Sequence, residues 1–434
     1  MFIQTKLDNN IKVLLIPVKN TKIIQIKLLF RIGSDLETTK NLEVTHFLEH
    51  MFGAYTSEKY PNSYQLLEKI VSLGIENDAS VGYSITKYYL RGLSKHFDFM
   101  LDILYNAYAN FKIDTKYLEQ ERNSIIEEIN IILNDGWIKL TEDINKHLFP
   151  NHNRELSQKH NIRNVKKLQV TELMRFFKKY YNNQNLIISI GGDFTPGKIL
   201  KKLNQTFGKI SNNNKVSLFP YIKKTIKKPI VSFTVNNQTM SSNLYIIFRI
   251  PYDFYDKDKF IIYTMANIMT NGLDSRLYKR LRGNAGLVYS ISSDVELSYS
   301  SKTLSNFSLN TQVLDQNLIA VIDIIIDELY KLREKPITNQ ELQKHQSEVK
   351  VTFLSNKLDR DPYRLLNKYS KYILWEHQPI TEKEEYSLMM NIKRKDIQEV
   401  SRKVLDMSQI MIIYSGKKNQ NREIYKILNK YGIM

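Results

Sequence analysis

Apolar residues in the first 210 positions follow two different spacings. Near the N-terminus they alternate or run almost unbroken across 11–17 (IKVLLIP) and 22–32, the second run closing at a Gly-Ser pair. Such runs predict strands bounded by a turn. From 42 onward the spacing lengthens to three and four, which predicts helices over 42–52, 63–73, 95–110, 114–133 and 165–181. An extended segment rich in Tyr, Ser and Thr at 77–93 separates the second helix from the third. NLIISIGGDF, at 185–194, reads as a buried strand, and Pro196 suits the first turn of another helix.

Polar and basic residues with two prolines fill 211–229, the composition of a linker. The order then repeats. Strands are expected at 230–235 and 244–250, helices at 256–270 and 275–281, and strands at 287–297 and 303–309. Helices follow at 314–332, 339–358, 362–375 and 393–405, then a strand at 409–414 and a terminal helix. The pattern predicts an α+β chain of two duplicated domains, 1–210 and 230–434, each a mainly antiparallel sheet with helices packed on it.

Composition narrows the chemistry. The 434 residues include no cysteine, which removes disulfides, thiolate nucleophiles and cysteine metal sites, and leaves histidine nitrogen and carboxylate oxygen as metal donors. The N-terminus enters a strand-like pattern directly, and no apolar run approaches the roughly 18 residues of a membrane span. A cytoplasmic protein is expected. The formal charge of +18 is spread through a chain rich in lysine everywhere, without a basic stripe interleaved with aromatics, so nucleic acid is not an expected partner.

With only 8 histidines, two stand four apart in THFLEHMF, at 45–52. On a helix, at about 100° per residue, His46, Glu49 and His50 fall on one face. Two imidazoles at i and i+4 can hold one metal ion beside a carboxylate placed to take a proton from water, and HxxEH is the inverted zinc-peptidase signature. Such a site needs a third ligand. LEQERNSIIEEINIILND, at 118–135, is the richest acidic helix. In it Glu121 and Glu128, seven apart, share a face, whereas Glu127 points roughly 240° away from Glu121. One face with two carboxylates suits a ligand and a partner that orients a ligand or the bound water.

HFLEH followed by ERNSIIEEI resembles the pitrilysin/insulinase family of zinc metallopeptidases, and the resemblance runs through KLDNNIKVLLIP, FRIGSDLE and NLIISIGGDFTPGKILKKLNQTFGKI. It implies one zinc ion per chain on His46, His50 and Glu128, with Glu49 as general base and Glu121 supporting Glu128; Glu127 is the alternative ligand, and the shared helix face favours Glu128. The stretch at 272–290, GLDSRLYKRLRGNAGLVYS, is similar to the one that carries the family's Arg-x6-Tyr pair. Arg282 and Tyr289 are therefore expected to reach a substrate carbonyl. The family's edge-strand Asn-Ala pair aligns with Asp78 and Ala79, with Asn77 one residue earlier as a substitute. The resemblance implies an endopeptidase for unfolded peptides or leader segments, working as a homodimer or as a heterodimer with a related subunit. A catalytically silent structural subunit is the other reading.

Overall fold

The computed structural model describes residues 2–53, 55–135, 137–211, 219, 228–237, 240–300, 304–358 and 362–434. The chain forms two compact units, each assembled from three stretches: 1–132, 156–220 and 359–380 in the first, 133–155, 221–358 and 381–434 in the second.

In the first unit β1 (Ile3–Lys6), β2 (Lys12–Pro17), β3 (Ile23–Phe30), β4 (Glu76–Val81), β5 (Thr86–Leu93) and β6 (Leu186–Gly192) form one sheet in the order β1-β2-β6-β3-β5-β4. Only β2 and β6 pair in parallel. Every residue of β6 and the first five of β2 are buried, which is why both read as mainly apolar runs, Lys12 and Ser189 apart: helices cover both faces there. Toward β4 the sheet changes character. ENDASV is mostly polar, exposed over its first three residues and partly exposed over the rest, as befits an edge.

One face of this sheet carries α1 (Val44–Gly53), with α2 (Ser63–Ser72), α3 (Phe97–Ala109) and α4 (Thr115–Leu133) following it in the chain. Phe47, Leu48, Met51 and Phe52 of α1 are buried, and the Phe52 ring stacks on Tyr88 of β5 at 3.9 Å. The opposite face takes a helix from the far end of the chain, Tyr363–Leu374. Its interface adds polar pairs to buried Leu366 and Ile373: Lys27 Nζ donates to Asn367, the Ser189 and Ser370 hydroxyls lie 2.8 Å apart, and a side chain at Gly191 would collide with Pro362.

The second unit repeats the arrangement. β7 (Ile230–Val235), β8 (Ser241–Ile250), β9 (Val288–Glu296), β10 (Ser305–Leu314) and β11 (Met411–Gly416) are ordered β7-β11-β8-β10-β9, with β7 and β11 the one parallel pair. Without β1, the first sheet has the same order. A helix from the first half of the chain, Ile138–Leu148, buries Leu140, Ile144 and Leu148 against Ile247, Met411 and Ile413.

Two uninterrupted domains at 1–210 and 230–434 therefore do not describe these units. Each half contributes a helix to the other's sheet, because the apolar faces at 140–149 and around Leu366 are buried only there. Of the stretch read as a linker, 211–229, residues 212–218 and 220–227 lie outside the described residues. The helix expected over 165–181 is the single helix Val170–Tyr180, and helices Ile138–Leu148 and Gln158–Val165 were not expected at all. Among the described residues no helix is long and apolar enough to cross a membrane.

Candidate metal centre and active site

The N-terminus of α1 begins with an unusual cap. The Glu37 carboxylate accepts from the backbone N–H of Glu43 and of Thr45, each at 2.9 Å, and from the Thr45 hydroxyl. Two orphan donors of the first turn are satisfied by a residue upstream of the helix. Burial, reinforced by the charge of Glu43, raises Glu37 above the ordinary carboxylate range.

From this fixed start, His46 and His50 project one turn apart, their Nε2 atoms 3.2 Å from each other. Glu128 of α4 faces both, at 3.3 Å from His46 Nε2 and 3.7 Å from His50 Nε2. The position of α4 is held by its own Arg122, whose buried guanidinium donates to the Leu168 carbonyl at 2.8 Å and to that of Val165. One donor atom from each of His46, His50 and Glu128 falls within 4.8 Å of the others. The alternative ligand Glu127 is not in this group.

The donor set fits zinc. Each ring has its second nitrogen held by a carboxylate, His50 Nδ1 by Glu121 at 2.8 Å and His46 Nδ1 by Glu43 at 2.8 Å. Those bonds leave the two Nε2 lone pairs free to converge on one ion. Their 3.2 Å separation is close to the edge of about 3.3 Å that a tetrahedron gives with Zn–N of about 2.0–2.1 Å. Burial alone would lower the pKa of His46, but the Glu43 hydrogen bond and the charges of Glu43, Glu49 and Glu128 raise it. Glu121 was expected to support Glu128; it holds His50 instead.

Glu49 lies on the same face of α1. Burial raises its pKa, opposed by the two histidines and by an N–H donated from the Val81 backbone of β4. The carboxylate of the signature is thereby tied to the sheet edge. A cavity of about 330 Å³ beside it is lined by His46, Glu49, Glu43, Ala79 and Val81 among others.

Strand alternation decides what that edge offers. Gly82 N donates to Ile85 O across the β4–β5 turn, so the peptide groups of Ser80 and Asp78 point inward to β5, while those of Val81, Ala79 and Asn77 point outward. Ala79 pairs with Tyr88, whose ring packs on α1; Asp78 pairs with Tyr89 and lies 3.9 Å from Lys87 on the other face. The expectation for Asp78 is thus corrected: neither its side chain nor its peptide faces His46 and Glu49. Ala79 does, and Asn77, two residues along, shares its face.

In the second unit, Arg282 lies on a π-helical turn, Lys279–Asn284, and Tyr289 on β9. Arg282 Nη1 donates to the Tyr289 carbonyl at 2.7 Å and its guanidinium sits 4.5 Å over the Tyr289 ring. Tyr289 is 80% exposed, which excludes a core role. The residues that sequence reasoning missed are Glu37, Glu43 and Asn161, whose Nδ2 donates to Glu43 at 2.6 Å. Glu43 alone left a trace, as an acid one turn before His46.

Residues 12–157 match the model of Insulinase (Peptidase family M16), and residues 167–349 match that of the Peptidase M16 inactive domain. This chain belongs to the pitrilysin/insulinase family. Among members of the family, an uncharacterized zinc protease of Rickettsia bellii is 21% identical over 416 residues, covering 93% of this chain and 95% of its own. The uncharacterized zinc protease YmxG of Bacillus subtilis is 22% identical over 379 residues, covering 86% and 89%. The crystal structure of a protease from Helicobacter pylori shares the fold, with a TM-score of 0.82 at 17% identity over 96% of this chain and 99% of that one.

Proposed function

We propose that this chain is a zinc endopeptidase. The observation that carries the reading is the convergence of His46, His50 and Glu128 within 4.8 Å, beside a glutamate bonded to a free strand edge. Zinc bound to these three donors would supply Lewis acidity to a water and to the substrate carbonyl. Peptide is held extended along β4, where the outward N–H and C=O groups of Ala79 and Asn77 add a strand and fix the scissile bond near Glu49. Glu49 takes a proton from the attacking water as the new C–O bond forms. It returns that proton to the amine as the C–N bond breaks.

In the same reading Arg282 and Tyr289 donate to the substrate carbonyl. The working form is a pair of identical chains, since one chain carries both the metal donors and the Arg-Tyr pair. Zinc relatives of nearly equal length support the reading. Its test is cleavage of a mixture of unstructured peptides by wild type and by Glu49→Gln. Wild type should cut and the variant should be slower by about 100- to 10,000-fold. Equal rates in the two proteins would overturn it.

A further inference from the structure

Glu43 stands out for its backbone. Among the described residues five non-glycines have positive φ: Asn10, Asn20, Glu43, Asn151 and Glu376. Three are asparagines, which tolerate this region. Glu376 directly follows the C-cap of helix Tyr363–Leu374, where helices often close left-handed. Glu43, with φ 69°, has no such excuse. It caps the start of α1, accepting from Phe47 N at 2.8 Å, and a cap residue ordinarily lies in the extended region.

Its side chain does not cap either, because Glu37 has taken that task. Instead one carboxylate oxygen meets His46 Nδ1 at 2.8 Å and the other accepts from Asn161 Nδ2 at 2.6 Å. Asn161 comes from helix Gln158–Val165, so the carboxylate is fixed from two elements.

We propose that Glu43 is a positioning residue whose strained backbone is kept for the aim it gives the His46 ring. The left-handed turn swings the carboxylate from the helix end onto the ring three residues on, which a cap in the extended region would not do. The inference rests on His46 being a metal ligand. It predicts that strain and metal affinity are traded against each other at this one position.

The test compares zinc affinity, by competition with a chelator, and the thermal midpoint of the metal-free protein, in wild type, Glu43→Gly and Glu43→Gln. Glu43→Gly should bind zinc roughly 10- to 100-fold more weakly, with a metal-free midpoint equal to or above wild type because glycine accepts the backbone without strain. Glu43→Gln, which keeps the strain and one acceptor, should lose less affinity and leave the midpoint unchanged. Zinc binding in Glu43→Gly as tight as wild type would overturn the proposal alone. So would a lower metal-free midpoint, which would mean a structural role. Wild type without zinc affinity would overturn it together with the metal reading.

Discussion

The two sheets of this chain have one strand order and two chemistries. Against the edge strand β4 of the first packs α1, which carries His46, Glu49 and His50. Against the edge strand β9 of the second packs helix Lys259–Thr270, KFIIYTMANIMT, which carries no histidine or carboxylate. The faces that receive the exchanged helices are alike in mixing apolar and polar contacts. In the first, Leu366 and Ile373 are buried beside Lys27 and Ser189; in the second, Leu140, Ile144 and Leu148 pack on Ile247, Met411 and Ile413 while Ser232 donates to Asp143 at 2.7 Å. Topology is therefore shared between the halves and the chemistry of the edge corner is not. Duplication supplies a scaffold, and only one copy of its helix-on-edge corner has the side chains to use it.

The largest effect should come from removing a donor. His50→Ala should lose zinc and bring peptide cleavage to background, measured on the same preparation; retained cleavage would show that the chemistry lies elsewhere. Next come the exchanged helices. Leu140→Ala and Leu366→Ala each empty a fully buried site, and each should cost about 2–5 kcal/mol in chemical denaturation. A cost well below that in either would mean that its helix is only loosely held on its sheet.

Smaller again is Glu121→Gln, which unseats His50 Nδ1 without touching a donor. Zinc affinity should fall about 10- to 100-fold by chelator competition. An unchanged affinity would leave Glu121 a bystander.

The smallest effect is a slope. Burial, then the charges of Lys87 and Lys371, lowers Lys27 to about 7 from its ordinary 10.5. The folded state therefore binds fewer protons at Lys27 than the unfolded state does between those values, and its contribution to stability rises with pH across that window and is flat below it. Lys27→Met should flatten this part of the stability curve and stabilise the protein most below pH 7. An identical slope in the variant would contradict the assignment.

The sequence was most legible where one residue pattern has one physical outcome. The short, mainly apolar run at 186–192, closed by two glycines, reads as a covered strand, and HxxEH on an amphipathic helix leaves little choice of ligand atoms. Glu128 came from the family resemblance, and the helical angle favoured it over Glu127. What stayed hidden depends on long-range packing. Helix Ile138–Leu148 exists to cover a sheet whose strands begin some ninety residues later, and local spacing does not announce that. Asp78 was misplaced because strand alternation has period two, so a shift of one residue in alignment moves a side chain to the other face. Glu43 and Asn161 meet across 118 residues, and nothing local to Asn161 points to a histidine.

The most direct measurement is zinc per chain after extensive dialysis, for wild type, Glu128→Ala and Glu127→Ala. The account predicts one ion in wild type and in Glu127→Ala, and almost none in Glu128→Ala. A full zinc retained by Glu128→Ala, or a second ion held by wild type, would contradict the claim that one corner of one sheet holds the metal.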